Sequence, residues 1–268
     1  MNKFYIQNIF FLLSIFVYGS NKAFASEWSL KKKNTTSVTS YQHPTPEEIY
    51  EKNKHLLCTN PEEIKNANEL MNDALIHLAY HATDDNGYTQ CKKQFFFALD
   101  TQKKTHDDNT DIIRILLKVT DINLYDNSIN KLWNPDSPNS FNTGSAKIVR
   151  VYDPNLVMIQ QRYEKKSKEP QKYFYALVKR AHISENTAII VTVSANINDH
   201  NTYAKEYKNT IIESANLFKT DIDSEHDIRN GKLEKVFVNM TGYLVEKKSD
   251  HVYITYVESV SNIQILIT

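Results

Sequence analysis

The sequence predicts an α+β domain organised around a curved antiparallel sheet. Three observations predict it. Two helix-start devices stand close together, at Thr45-Pro46-Glu47-Glu48 and at Thr59-Asn60-Pro61-Glu62-Glu63. Between residues 146 and 196, β-branched and aromatic segments follow one another, divided by short turn signals. Only 5 of the 268 residues are glycine, about 2% against a usual ~7%. Gly19, Gly87, Gly144, Gly231 and Gly242 are scattered, so the clustered glycines of phosphate loops and dinucleotide fingerprints are absent. Collagen-like and Gly/Ser-linker architectures are excluded with them.

Residues 1–25 read as a secretory signal peptide. Lys3 supplies a positive start, Ile9 to Tyr18 an apolar core, and Ala23-Phe24-Ala25 a small-x-small cleavage site. An apolar run of this length is too short to cross a bilayer of about 30 Å as a helix. Residues 26–45 are polar and aperiodic and read as a flexible linker. The remaining 46–268 form the folded domain.

Within that domain, Pro46 opens a first helix with acids in its first turn, where they oppose the positive end of the dipole. Pro61 opens a second, in which Ile64, Ala67, Leu70, Met71, Ala74, Leu75 and Leu78 recur at helical spacing. Asp84-Asp85-Asn86-Gly87 ends it in a turn. Gln94–Leu99 and Asp111–Val119 read as strands, and Leu124–Trp133 as a short amphipathic helix closed by Asn134-Pro135. Ala146–Tyr152, Leu156–Tyr163, Lys172–Ile183 and Thr187–Asn196 are strands joined as hairpins. Tyr207–Leu217 reads as a helix. Leu233–Glu246 and His251–Glu258 make a final hairpin, with Gly242 inside its first strand as a bend or a close approach.

Lysine plus arginine and aspartate plus glutamate each total 32, so no overall field draws the chain to nucleic acid. Cys58 and Cys91 leave two readings open in a secreted chain, a bridge or two buried free thiols. The sequence offers little covalent chemistry. His77 and His81 have the i, i+4 spacing of a zinc-protease helix, but Leu78 occupies the position of its glutamate, and both flank the apolar stripe. Ser194, near Asp199 and His200, lacks the glycines of a nucleophile elbow. Glu225-His226-Asp227 reads as a solvated charge cluster. No catalytic residue, metal site or cofactor is expected.

The sheet is more informative. Arg150 with Tyr152, Gln160 with Arg162, and Tyr173 with Tyr175 are two apart, so each pair shares a strand face. Such a face suits either an outward polar surface or a cavity for an amphipathic ligand. Guanidinium groups would pair with phosphate and tyrosine faces with a quaternary ammonium.

Blocks of the sequence carry a resemblance to a known family. They include residues 47–63 (EEIYEKNKHLLCTNPEE), 130–136 (NKLWNPD), 141–145 (FNTGS), 150–156 (RVYDPNL), 173–176 (YFYA), 194–200 (SANINDH), 212–219 (IESANLFK) and 241–245 (TGYLV). Through them the chain resembles the Fam-a family, START-related secreted proteins of rodent malaria parasites. The resemblance implies a START-like helix-grip fold, in which a curved antiparallel sheet grips a C-terminal helix over a lipid cavity. It implies binding and transfer of phospholipid, phosphatidylcholine first, with transient membrane contact and no covalent chemistry. It also implies export toward the host erythrocyte or the parasitophorous vacuole, although no Arg-x-Leu-x-acid pentamer follows the signal peptide. The expected lipid-binding residues are Arg150, Tyr152, Gln160, Arg162, Tyr175 and Tyr243. One departure stands out: Ser261 to Thr268 are too few and too β-branched to supply the closing helix, so the domain is expected to be C-terminally truncated. That departure admits an alternative, a transfer-deficient surface or host-interaction protein on a degenerate lipid-binding fold.

Overall fold

The computed structural model describes residues 43–91, 100–107, 110–137, 144–165 and 168–261. The signal peptide, most of the linker, the expected strand Gln94–Leu99 (but for its neighbour Asp100) and the expected loss of a closing helix after Ser261 lie outside these residues.

Helix α1 (Pro46–Asn53) begins with a complete capping box: Glu48 N donates to the Thr45 hydroxyl, and Thr45 N to the Glu48 carboxylate. Helix α2 (Pro61–Thr83) is capped by Asn60, whose side-chain oxygen accepts from the amides of Glu62 and Glu63. Of the predicted stripe, Ala67, Leu70, Met71, Ala74 and Leu78 are buried and Ile64 and Leu75 partly so; His81 and Ala82 are buried as well. A short strand β1 (Thr89–Gln90) and then β2 (Asp100–Asp107) and β3 (Thr110–Val119) follow, before helix α3 (Tyr125–Trp133). Next come β4 (Gly144–Asp153), β5 (Leu156–Tyr163), β6 (Gln171–Ser184) and β7 (Thr187–Val193). After β8 (Asn196–Asn198), β9 (Lys219–Asp221), the single turn α4 (His226–Arg229) and β10 (Leu233–Lys235), the chain closes with β11 (Phe237–Lys247) and β12 (Val252–Ser261).

The fold is α+β, with a curved antiparallel sheet in the order β1-β2-β3-β12-β11-β7-β6-β5-β4. Strand β10 adds in parallel to β6, and β8 and β9 form a separate parallel pair. Sequential hairpins account for β4-β5, β5-β6, β6-β7 and β11-β12, as the turn signals predict. The last strand then docks on β3, joining the two halves of the chain.

Helices cover both faces of the sheet, so the core is double. One face packs Leu70, Met71, Ala74 and Leu78 of α2 against Leu177, Ile189, Val191 and Leu244. The other packs Tyr125, Ile129 and Trp133 of α3 against Ile190, Tyr243, Ile254 and Tyr256. Gly242 is the point of closest approach between α2 and the sheet. A Cβ there would lie 2.1 Å from Ile190 O and 2.8 Å from Leu78 Cδ2.

Several elements differ from expectation: the strand expected over Leu233–Glu246 breaks at Val236 into β10 and β11, and that over Thr187–Asn196 stops at Val193. Tyr207–Leu217 is not an α-helix but irregular chain ending in a 3₁₀ turn at Glu213–Asn216. Asparagine side chains take the backbone groups a helix would use. Asn209 Oδ1 accepts from Ile211 N and Ile212 N, while Asn216 accepts from Asn209 N and donates to Asn209 O. Strand β2 was not expected because its sequence is almost wholly polar. It lies one short strand from the sheet edge, paired along its length with β3 and with β1 only at Gln102 and Lys103, so much of it meets solvent.

Candidate functional site

The face carrying α3 does not close completely. Strands β4, β5, β6, β7, β11 and β12, with the C-terminal end of α3, enclose a cavity open to solvent. The cavity volume is about 120 Å³. The cavity is therefore narrow. Ile148, Ile159, Phe174, Ile190, Val238 and Val260 give it an apolar floor. Each reaches it because alternate residues of a strand point to the same side.

Polar groups, among them Asn134 and Ser137 at the end of α3, share this wall with the apolar ones. The other polar groups include Gln161, Tyr163, Thr192, Thr241, Tyr243, Tyr256 and Glu258. The rings of Tyr243 and Tyr256 lie 5.1 Å apart, and those of Tyr163 and Phe174 5.8 Å apart. Glu258 is the sole carboxylate of the lining, and no lysine, arginine or histidine joins it among the described residues. Burial pushes its carboxyl up to about 7, against a hydrogen bond from the Tyr256 hydroxyl that favours the charged form. Tyr256 in turn accepts from the Thr241 hydroxyl at 3.2 Å. Burial, with the Glu258 charge nearby, holds the Tyr163 and Tyr256 hydroxyls protonated well above their usual range. At the opposite wall the Trp133 indole N–H is buried without a partner among the described residues.

Of the six residues expected at a lipid site, only Tyr243 lines this cavity. The other five stand on the α2 face, engaged with one another and with neighbouring acids. Arg150 Nη1 donates to Glu63 Oε1 at 2.6 Å and its Nη2 to Asp221 O at 2.8 Å. The Tyr152 hydroxyl donates to the same Glu63 oxygen at 2.7 Å. Gln160 Nε2 donates to the Tyr175 hydroxyl and to Glu225. Arg162 grips Asp227 in a two-pronged pair at 2.6 and 2.9 Å, which holds the Asp227 carboxyl below its usual range. Burial raises the Tyr152 and Tyr175 hydroxyls, and the Glu63 carboxylate raises Tyr152 further.

A bulge explains the reversal on β4. Ile148 pairs with Ile159, but the next pairing joins Arg150 to Met158, leaving Val149 as an extra residue. Ile148 therefore faces the cavity, whereas Arg150 and Tyr152 face α2. The Glu225-His226-Asp227 cluster is likewise not free in solvent. It starts α4, and its two acids receive Arg162, Gln160 and Lys147. Burial opposes ionisation of Glu225, but hydrogen bonds from Lys147 and Gln160 outweigh it and bring that carboxyl to about 2.

The remaining reactive side chains are structurally occupied. The Ser194 hydroxyl donates to Tyr175 O at 3.0 Å and accepts from Val238 N at 3.1 Å, which ties β6 to β11. Asp199 receives the Tyr173 hydroxyl at 2.9 Å and the Lys235 ammonium at 3.0 Å. His81 is buried and bonded to the Tyr88 hydroxyl, while His77 pairs with Asp73 along the helix. Among the described residues no three potential ligands gather to hold a metal. Cys58 and Cys91 are free thiols, so the bridge left open by the sequence is not formed. Cys58 N donates to Val151 O on β4 and Cys91 N to Thr101 O on β2, strands at opposite ends of the sheet order. A disulfide tolerates a Cα separation of only about 7 Å.

No family model and no curated protein matches the chain. Similar solved structures exist. Human STARD10 is 14% identical with a TM-score of 0.45, over 70% of this chain and 66% of that one, slightly under two thirds of its length. Human StAR-related lipid transfer protein 5 is 11% identical with a TM-score of 0.49, over 74% and 82% respectively. A STAR-related lipid transfer protein from Xanthomonas axonopodis is 8% identical with a TM-score of 0.40, over 66% and 82%. These likenesses concern the path of the chain; the cavity side chains are this protein's own.

Proposed function

We propose that this protein binds a lipid in the cavity between the sheet and α3, and carries it between membranes without covalent chemistry. The observation that carries the reading is the cavity itself: an apolar floor of aliphatic and aromatic side chains beside polar ones, open to solvent. Phosphatidylcholine is the leading ligand, as the Fam-a resemblance implies, and its zwitterionic head suits a wall of tyrosines and one acid. The absence of arginine from the cavity departs from the phosphate clamp expected of the sequence.

The same proposal takes membership of Fam-a, secretion behind residues 1–25, export toward the host erythrocyte or the parasitophorous vacuole, transient membrane contact and no role for nucleic acid. Mass spectrometry of lipid extracted from purified residues 26–268, paired with exchange of labelled phosphatidylcholine between vesicles, tests the reading. Stoichiometric lipid and exchange above the spontaneous rate are expected. Bound lipid without exchange would select the transfer-deficient alternative. Neither binding nor exchange would refute a lipid carrier.

A further inference from the structure

Glu258 is an anomaly of sequence and of place. It follows Ile254 and Tyr256 at alternate positions of β12, the parity that faces the α3 side, and every neighbour at that parity is apolar or aromatic. Across the ladders it stands beside Thr241 on β11 and Ile113 on β3. Neither neighbour is a cation. Among the described residues of the lining, the titratable groups around it are the hydroxyls of Tyr256 beside it on β12, Tyr243 on β11 and Tyr163 on β5. A carboxylate placed among apolar groups without a cation is costly; the acid relieves that cost by holding its proton or by meeting a positive partner that enters the cavity.

We propose that Glu258 is the head-group anchor of the cavity, and that it selects lipids whose head bears an ammonium while rejecting those with net negative charge. The inference rests on the lipid-carrier reading and adds to it the charge class of the ligand. The carboxylate supplies the attraction, and the adjoining tyrosine faces supply a surface for the alkylated nitrogen. A phosphate finds no cation on the wall, so the head group has to bring its own. Phosphatidylcholine does so, and a long-chain amine does so without any phosphate. Because the carboxyl titrates at about 7, the charge that attracts the ammonium is present above neutrality and lost below it.

The test uses purified residues 26–268 and fluorescent analogues of four lipids, each offered at low mole fraction in vesicles of neutral galactolipid. The analogues are phosphatidylcholine, a long-chain amine, phosphatidic acid and diacylglycerol. At pH 8 the wild type is expected to take up phosphatidylcholine at least tenfold better than phosphatidic acid. Glu258→Gln is expected to lose most of that preference, its ratio of phosphatidylcholine to diacylglycerol uptake falling severalfold below that of the wild type. A second measurement needs no variant. Wild-type uptake of phosphatidylcholine, whose own charge is constant over the range, should fall severalfold between pH 8 and pH 5.5, while diacylglycerol uptake should not. Amine uptake that follows Glu258 as closely as phosphatidylcholine uptake does assigns the ammonium alone; a fall confined to phosphatidylcholine assigns the intact choline head. The proposal is overturned if Glu258→Gln and pH leave phosphatidylcholine uptake unchanged, or if the wild type prefers phosphatidic acid. Uptake of diacylglycerol without ammonium selectivity would overturn this inference alone. Failure to take up any of the four would overturn the carrier reading with it.

Discussion

Arg150 offers a direct test of which sheet face binds ligand. On the sequence it is a candidate for lipid phosphate; in the structure it is a strut between β4 and the start of α2. Its guanidinium meets Glu63 at 2.6 Å, with the two side chains 22% and 13% exposed. It also donates to Asp221 O and to the Thr220 hydroxyl. Arg150→Met keeps much of the volume and removes these bonds, leaving Glu63 with the Tyr152 hydroxyl. Breaking a buried ion pair costs about 3–5 kcal/mol, and partial exposure brings this one below that range, to about 2–3 kcal/mol. For a domain of this size each kcal/mol lowers Tm by roughly 2–4 °C, so a fall of roughly 4–12 °C is expected. Calorimetry at neutral pH reads the shift, and phosphatidylcholine binding at 20 °C, where the variant is folded, reads the site. Binding should stay within about twofold of wild type, since the residue stands across the sheet from the cavity. A double-mutant cycle with Glu63→Gln should show that the two losses do not add. An unchanged Tm together with a tenfold loss of binding would refute the assignment and return Arg150 to the ligand.

Gly242→Ala should lower stability by at least the 1–3 kcal/mol typical of overpacking, because the new methyl meets Ile190 O and Leu78 together; the urea midpoint measures it. Ser194→Ala should cost about 1–3 kcal/mol by leaving the Val238 N–H buried without its acceptor, with no effect on any hydrolytic rate. His81 contributes a pH dependence of defined sign. Burial, aided by the Lys104 charge, holds its folded pKa at about 4, while the unfolded chain titrates near 6.5. The unfolded state therefore binds the extra proton between these values, and stability falls as pH drops through that window, by at most about 3 kcal/mol. Comparing the urea midpoints of wild type and His81→Gln across pH 4–8 isolates the effect. The Glu258 carboxyl, raised in the fold, acts in the opposite sense over much of the same range but is common to both proteins.

The helix starts were legible because capping is local: Thr45, Asn60 and the prolines after them act on residues within one turn. The hairpin strands were legible for a related reason, since a run of β-branched residues bounded by Asp153-Pro154-Asn155 or Ser184-Glu185-Asn186 needs no knowledge of the rest of the chain. Tyr207–Leu217 failed because its apolar spacing suits a helix, while the decision lies with amide groups of Asn209 and Asn216 that periodicity does not weigh.

The site failed at a different level. A period of two sorts a strand into two faces but does not say which face holds a cavity, and here helices bury both. In β6 the burial runs unbroken from Lys172 to Val178, so no wet side betrays itself. Composition then misled, because the arginines and tyrosines that suggest a polar ligand site are those that fasten α2 and α4 to the sheet. On β4 even the parity was lost, since the bulge at Val149 separates Ile148 from Arg150. One signal could have found the cavity. In Val252-Tyr253-Ile254-Thr255-Tyr256-Val257-Glu258, the acid falls on the parity of Ile254 and Tyr256, both of which belong in a core. A lone carboxylate at a core position violates the pattern that the rest of the strand obeys. Local rules are broken where function compensates for their cost. The arginines had partners to explain them; among the described residues Glu258 has the neighbouring Tyr256 hydroxyl and no cation, the place that the proposed ammonium would fill.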